Sequence, residues 1–295
     1  MDPEILISKY EPQKMVAIPL LVLAVALVIA GLTYLETGSP VNLGVEFTGG
    51  TTITVPIVET DDELASKLAD YPVIQIRDVG NRHMVQMGSM SDDDIRSLSS
   101  LIEANYEDAE IRYLGPVYSK RLQEQARTYI PMSFLFMAIV VLLIFRTPLV
   151  SFLIILSAFS DIMIATACMN LTGVELSLGT VAALLMLIGY SVDSNILLNN
   201  RVLKRKGRTN EKIAGAMRTG IAMTSTTLSA ILAMFIVATF SYLVSDSFSR
   251  INILFDISVV LIFGLLADLM NTWVMNANAL RWYVTRSDSS RRQRR

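Results

Sequence analysis

The sequence is poor in the residues from which most reactive centres are built: it has 1 cysteine and 1 histidine in 295 residues. Cys168 alone excludes an intrachain disulfide and a cysteine metal site. His83 alone supplies neither a histidine metal cluster nor a base beside a nucleophile, and its place between two short strands suggests a solvated hairpin. Charge is scarce as well, at 18% of residues, and it is clustered, which leaves long runs with none. The Gly49-Gly50 pair is followed by no lysine and no helix start, so it reads as a backbone turn rather than a phosphate loop. No nucleophile–base pair and no metal-ligand spacing is present, and the expectation is a protein that is not an enzyme and holds no metal.

What the chain has in abundance is apolar length. Hydrophobic residues make up 52% of it, with a mean hydropathy of +0.48. Six apolar runs, at about 15–35, 129–145, 149–170, 177–199, 217–242 and 253–275, are each of the size that crosses a bilayer. The first is too long for a secretory signal, and no small-residue cleavage site follows Leu35. Tyr34, Tyr129, Trp273 and Trp282 fall near span ends, where amphipathic aromatics sit. Lys9, Lys14, Arg146, Arg201, Lys204, Arg205, Lys206, Arg208 and the basic tail after Arg281 all come to one face when six spans are threaded. That face is expected to be cytoplasmic, with both termini inside, in a multi-pass protein of the cell membrane. The Lys204–Arg208 loop could also meet anionic lipid, although a positive loop that sets topology is its ordinary role.

The polar stretch at 36–127 then lies outside. It carries about twice as many acids as bases, which argues against nucleic acid. A β-branched run at 51–58 precedes Thr60-Asp-Asp-Glu, a capping-box start for a short helix. Runs at 73–78 and 84–87 predict a hairpin turned at Gly80-Asn81. Ser91-Asp-Asp-Asp opens a second helix to about Asn105, and 109–113 gives a last strand. The order βαββαβ predicts a small ferredoxin-like α+β domain. The expected organisation is therefore a cytoplasmic N-terminus at 1–14, a first transmembrane helix at 15–35, an extracytoplasmic domain at 36–127, five more helices at 128–275 and a basic tail at 276–295.

Four aspartates interrupt the apolar runs: Asp161 in the third, Asp193 in the fourth, and Asp268 and Asp256 in the sixth. An unpaired carboxylate at the bilayer centre costs roughly 2.5–3.5 kcal/mol, so three together cost on the order of 8–10 kcal/mol. They are expected to face the bundle or a wet cavity. Ala182, Met186, Gly189 and Asp193 share one helical face, as do Arg218, Ala222, Ser225 and Ser229 in the fifth run, and Gly264, Asp268 and Asn271 with Thr272 in the sixth. Small residues on these faces allow close helix approach. The acids either lock the helices together, with Arg218 as one partner, or relay protons or ions.

These residues carry a resemblance. Residues 44–50, Gly-Val-Glu-Phe-Thr-Gly-Gly, look like the signature G-[IV]-D-F-T-G-G-T of the SecF family, with Glu46 in place of aspartate. Residues 114–117, Leu-Gly-Pro-Val, resemble its V-G-P segment, and residues 189–201 resemble G-Y-S-x-N-D-x-x-V-V-x-D-R in its fourth span. Asp161 matches an aspartate of the third span. Asp193-Ser194 stands where the bacterial pattern has Asn-Asp, which moves the acid by one residue; Val192-Asp-Ser-Asn195 is closer to the V-D-A-N of SecD and to archaeal members. Arg218 lies two residues further from Thr224 than the corresponding bacterial arginine does.

The resemblance implies a six-helix, RND-like half-transporter that pairs with SecD beside the Sec translocon channel. It implies that the external domain engages translocating unfolded polypeptide and that a transmembrane proton or sodium gradient, with no bound cofactor, drives the movement. Asp161, Asp193 and Asp268 become the relay candidates, supported by Ser194, Asn195, Arg218, Gly49 and Gly50. An RND-like, ion-driven exporter of small molecules or lipids is the alternative, although such exporters usually join both halves in one chain with larger external domains. A passive assembly scaffold with purely structural acids is a third reading.

Overall fold

A computed structural model describes residues 12–79, 82–106, 109–204, 207–240 and 252–293. Lys9, the Gly80-Asn81 turn, Arg205, Lys206, the connection at 241–250 and the end of the basic tail lie outside the described residues.

Six helices are long and apolar enough to cross a membrane. They are built on α1 (Pro12–Thr37), α5 (Pro116–Phe145), α6 (Pro148–Thr172), α7 (Leu178–Lys204), α8 (Thr209–Phe240) and α9 (Asn252–Met270). The last continues through a π-helical segment, Asn271–Asn276, into α10 (Ala277–Gln293). Several helices extend past the expected limits: α5 begins at Pro116, well before the apolar run, α7 runs to Lys204, α8 begins at Thr209, and the last helix runs on to Gln293. The start of α5 and the turn that ends it have local causes. Pro116 follows the N-cap Gly115, where its missing N–H leaves no bond unmade. The turn between α5 and α6 is set by Arg146 in the left-handed region (φ 51°), followed by Thr147 as N-cap and Pro148.

The bundle is layered. Helix α6 is the most enclosed, α7 and α9 pack against it, and α1, α5 and α8 lie outside. The outer helices therefore present rows of exposed leucine, isoleucine, valine and phenylalanine, such as Leu21, Val28, Phe136, Leu143 and Val237. In a chain with six apolar helices this is the surface expected of lipid contact.

Between α1 and α5 lies the α+β domain. It comprises a single helical turn, α2 (Val45–Thr48), then β1 (Gly50–Pro56), α3 (Asp61–Lys67), β2 (Val73–Val79), β3 (Arg82–Met87), α4 (Asp92–Asn105) and β4 (Glu110–Leu114). The strands form one sheet in the order β2-β3-β1-β4, with all neighbours antiparallel, which is the ferredoxin-like arrangement. Both helices start where the sequence places them. Thr60 and Glu63 form a reciprocal capping box, and Ser91 Oγ accepts from the Asp94 amide at 3.2 Å. Ile53, Val55, Val85 and Met87 on one sheet face meet Leu64, Leu68, Leu98 and Ile102 from the helices, all buried.

His83 departs from the expectation. It is 3% exposed, with Nε2 on the Glu59 carbonyl oxygen at 2.8 Å and Nδ1 facing Asp61 Oδ1 at 3.0 Å. It shares the core face because it lies two residues from Val85 along β3, in register with Val55.

Gly50 is required by its backbone. It has φ +113°, and a Cβ there would overlap the Met87 carbonyl oxygen. Gly50→Ala is expected to destabilise the domain by more than about 2 kcal/mol, read as faster protease cleavage between residues 50 and 114 in the purified full chain.

Candidate functional site

The three inner helices carry polar side chains toward one another at a common level. Asp161 projects from the middle of α6 and is fully buried. Its Oδ2 accepts from Ser191 Oγ on α7 at 2.5 Å, and its Oδ1 from Asn271 Nδ2 in the π segment at 2.6 Å. Asp268, at the end of α9, is also fully buried. Ser194 Oγ lies 3.0 and 2.9 Å from its two oxygens, and Thr272 Oγ1 donates to Oδ1 at 3.0 Å. Ser191 and Ser194 are neighbours on one face of α7, and each donates to one of the two carboxylates, which sets the acids side by side. Every hydrogen bond to the pair comes from a neutral hydroxyl or amide; among the described residues no lysine, arginine or histidine pairs with either.

Asn195 extends the layer. Its amide donates to Ser157 Oγ on α6 at 3.2 Å and to the Ser191 carbonyl at 2.8 Å, and its oxygen accepts from Asn276. Tyr190 OH reaches Thr224 Oγ1 on α8 at 2.8 Å. Asn271 Oδ1 and Asn276 Oδ1 in this layer, and Ser160 Oγ on α6, are buried with no hydrogen-bond partner among the described residues. An apolar cluster closes the layer at either end. Ile154, Leu198, Ile213 and Leu280 lie on one side, and Met169, Ala183, Val260 and Leu265 on the other.

Two close approaches draw the helices together. A Cβ on Gly264 would overlap the Leu187 side chain, and one on Gly220 would overlap the Trp273 ring. The π segment widens the last helix where it passes the site. Asn271, Thr272, Trp273, Met275 and Asn276 of that segment are all buried.

The structure divides the residues picked out from sequence. Asp161, Asp268, Ser194 and Asn195 converge on the inner layer. Asp193 does not. It is exposed, as are Ala182, Gly189 and Met186 (56%), so the face they share is real but points out of the bundle. The cause is helical rotation: about 100° separates Asp193 from Ser194, and Ser194 holds the inward position. Arg218, Ala222, Ser225 and Ser229 likewise lie on an exposed face of α8, so Arg218 is not placed against the buried acids. Asp256 is half-buried near the start of α9. Gly49 and Gly50 are remote from the acids, at the root of the α+β domain. Sequence reading passed over Ser157, Ser191 and Asn276 as members of the site; Ser191 and Asn195 at i and i+4 on an otherwise apolar helix were the available signal.

Six helices long and apolar enough to cross a membrane, one ferredoxin-like domain and a buried carboxylate pair define a polytopic membrane protein with a single α+β domain. The chain belongs to the SecF family of protein-export membrane proteins. Residues 95–286 match the family described as "Protein export membrane protein SecD/SecF, C-terminal", and residues 37–60 match the "SecD/SecF GG Motif". The protein-export membrane protein SecF of Methanolacinia petrolearia is 45% identical over 279 residues, covering 94% of this chain and 96% of that protein. That of Haloferax volcanii is 43% identical over 285 residues, covering 95% and 96%. A crystal structure of SecDF from Thermus, a translocon-associated membrane protein, superposes with a TM-score of 0.75 at 22% identity. The similarity covers 92% of this chain but 38% of that one, so this chain corresponds to part of the longer molecule's fold.

Helix approach at this layer should be intolerant of added volume. Gly220→Val is expected to cost about 1–3 kcal/mol through overlap with Trp273, whereas Ala222→Val on the exposed face should cost far less. Thermal denaturation in detergent, followed by size-exclusion fluorescence, compares the two.

Proposed function

We propose that this chain is an accessory subunit of Sec-dependent protein export, acting with SecD to drive polypeptide across the cell membrane at the expense of the ion-motive force. The export role follows from membership of the SecF family over nearly the whole chain. The ion-driven part rests on one observation: Asp161 and Asp268 are both fully buried and receive only neutral donors. Two carboxylates without a basic partner in a low-dielectric layer need compensating positive charge, and a proton or a sodium ion supplies it. The surrounding groups are oxygens that suit either, including the unpartnered Asn271 Oδ1 and Ser160 Oγ. A single charge crossing the membrane field carries roughly 2.3 kcal/mol per 100 mV.

SecD is the proposed occupant of the exposed α7 face. A carboxylate on the outward face of a membrane helix is costly against lipid, and small residues at Ala182 and Gly189 beside it suit a close-packed helix partner. In this reading Asp193 and Arg218 belong to the interface between halves and Asp161 and Asp268 to the interior relay. The basic loop and tail are placed in the cytoplasm by the positive-inside rule, which puts the α+β domain outside, where it meets emerging unfolded polypeptide near the translocon channel. Contact of the basic loop with anionic lipid is part of the same arrangement.

Asp161→Asn and Asp268→Asn are each expected to lower gradient-dependent preprotein translocation about tenfold or more, at normal protein level in the membrane. Asp193→Asn is expected to weaken co-purification with SecD instead. Full export activity in the Asp161→Asn, Asp268→Asn double variant would remove the relay and leave a scaffold. Intact export with altered efflux of small molecules or lipids in a deletion strain would favour the exporter.

A further inference from the structure

The α+β domain joins the bundle through two covalent tethers, residues 38–49 from α1 and Gly115 from β4, and the tethers meet. A Cβ on Gly49, which has φ +74°, would lie 3.3 Å from Pro116 Cα, and Ser119 Oγ on α5 lies 3.5 Å from the Val45 carbonyl oxygen. The domain thus stands on a single root, where α2 packs on the start of α5.

One side chain clasps the first tether to the bundle. Asn170 lies in the last turn of α6, nine residues beyond Asp161, or roughly 13 Å along the same helix. Its Nδ2 donates to Thr33 Oγ1 at 3.0 Å and to the Pro40 carbonyl at 3.0 Å, and its Oδ1 accepts from the Asn42 amide at 3.3 Å. Immediately beyond, the α6–α7 connection forms a parallel bridge with the same tether, Leu43 against Leu176. There the Leu176 amide donates to the Asn42 carbonyl at 2.7 Å, and the Gly44 amide to the Leu176 carbonyl at 2.9 Å. Two donor contacts and one acceptor contact from one short amide fix Asn170 chemically. Aspartate would lose both donor contacts, and alanine all three. The tether runs from this clasp through α2 and the two glycines directly into β1, one of the two central strands of the sheet.

We propose that Asn170 is the coupling residue through which displacement of α6 at the carboxylate pair is delivered to the α+β domain. The proposal rests on the reading of Asp161 and Asp268 as an ion relay. Asn170 makes no contact with either acid, so it is a positioning residue whose loss separates the relay from the movement. The alternative is that the clasp is merely structural, holding the fold together without transmitting anything.

The experiment uses the full chain assembled with SecD in sealed vesicles, in a Cys168→Ser background, and measures ion flux and preprotein translocation together. Asn170→Ala is expected to keep ion flux within about twofold while translocation falls about fivefold or more. Adding Leu43→Cys and Leu176→Cys replaces the clasp by a disulfide between bridge partners, which should restore translocation when oxidised and lose it again on reduction. Flux and translocation falling in step, or neither changing, would overturn the coupling role. The parent assembly serves as the separate check: translocation indifferent to collapse of the gradient would overturn the ion-driven reading itself, irrespective of Asn170.

Discussion

The constraint on which the structure turns is the burial of two carboxylates among donors that carry no charge. Asp161 and Asp268 are fully buried, and each retains two or more hydrogen bonds from hydroxyl or amide groups. Meeting that demand fixes much of the bundle. Helix α7 must present Ser191, Ser194 and Asn195 on one side, α6 must supply Ser157 beside Asp161, and the last span must bring Asn271, Thr272 and Asn276 round together. Gly220 and Gly264 let the helices approach until those short side chains reach one another. The apolar clusters at each end enclose the layer, and the low local dielectric of such an enclosure makes each polar contact stronger and each missing one more costly.

Helix α7 also divides the protein into an inside and an outside. Leu187, Ser191, Ser194 and Leu198 are enclosed, whereas Ala182, Met186, Gly189 and Asp193 are exposed. Both faces carry polar residues, so neither has the apolar character of the exposed 132–144 stretch of α5. That two-sidedness fits the proposed arrangement, in which α7 packs against its own bundle on one side and SecD on the other.

How far the sequence discloses this is set by which forces are local. The six spans and the βαββαβ order are legible, because hydropathy, the capping box at Thr60, the N-cap at Ser91 and the period-2 alternation of the strands act over a few residues. The clustering of Asp161 with Asp268 was legible only as a requirement that acids in apolar helices find company. Which acid faced inward was not. Asp193 and Ser194 differ by one step of helical rotation, and only the packing of α7 against both α6 and α9 decides between them. His83 was misjudged for a related reason: the period-2 rule places it with Val85 on the core face, but its polarity argued for solvent, and the carbonyl of Glu59 and carboxylate of Asp61 that satisfy it are distant in sequence. The clasp at Asn170 was invisible, since its partners Thr33 and Asn42 lie more than a hundred residues away.

The π segment at Asn271–Asn276 has a consequence for how the chain can vary. Such a segment is a surplus residue absorbed into a helix without breaking it. Everything C-terminal to it, from Ala277 to Gln293, is therefore turned by about 100° from where an uninterrupted helix would have placed it. A one-residue deletion here would preserve composition, hydropathy and span length, and would still aim Leu280 and Trp282 at different neighbours. Gaps of a single residue within the last span thus record changes of facing rather than of size, and two chains of nearly equal length can differ more in this helix than their sequences suggest.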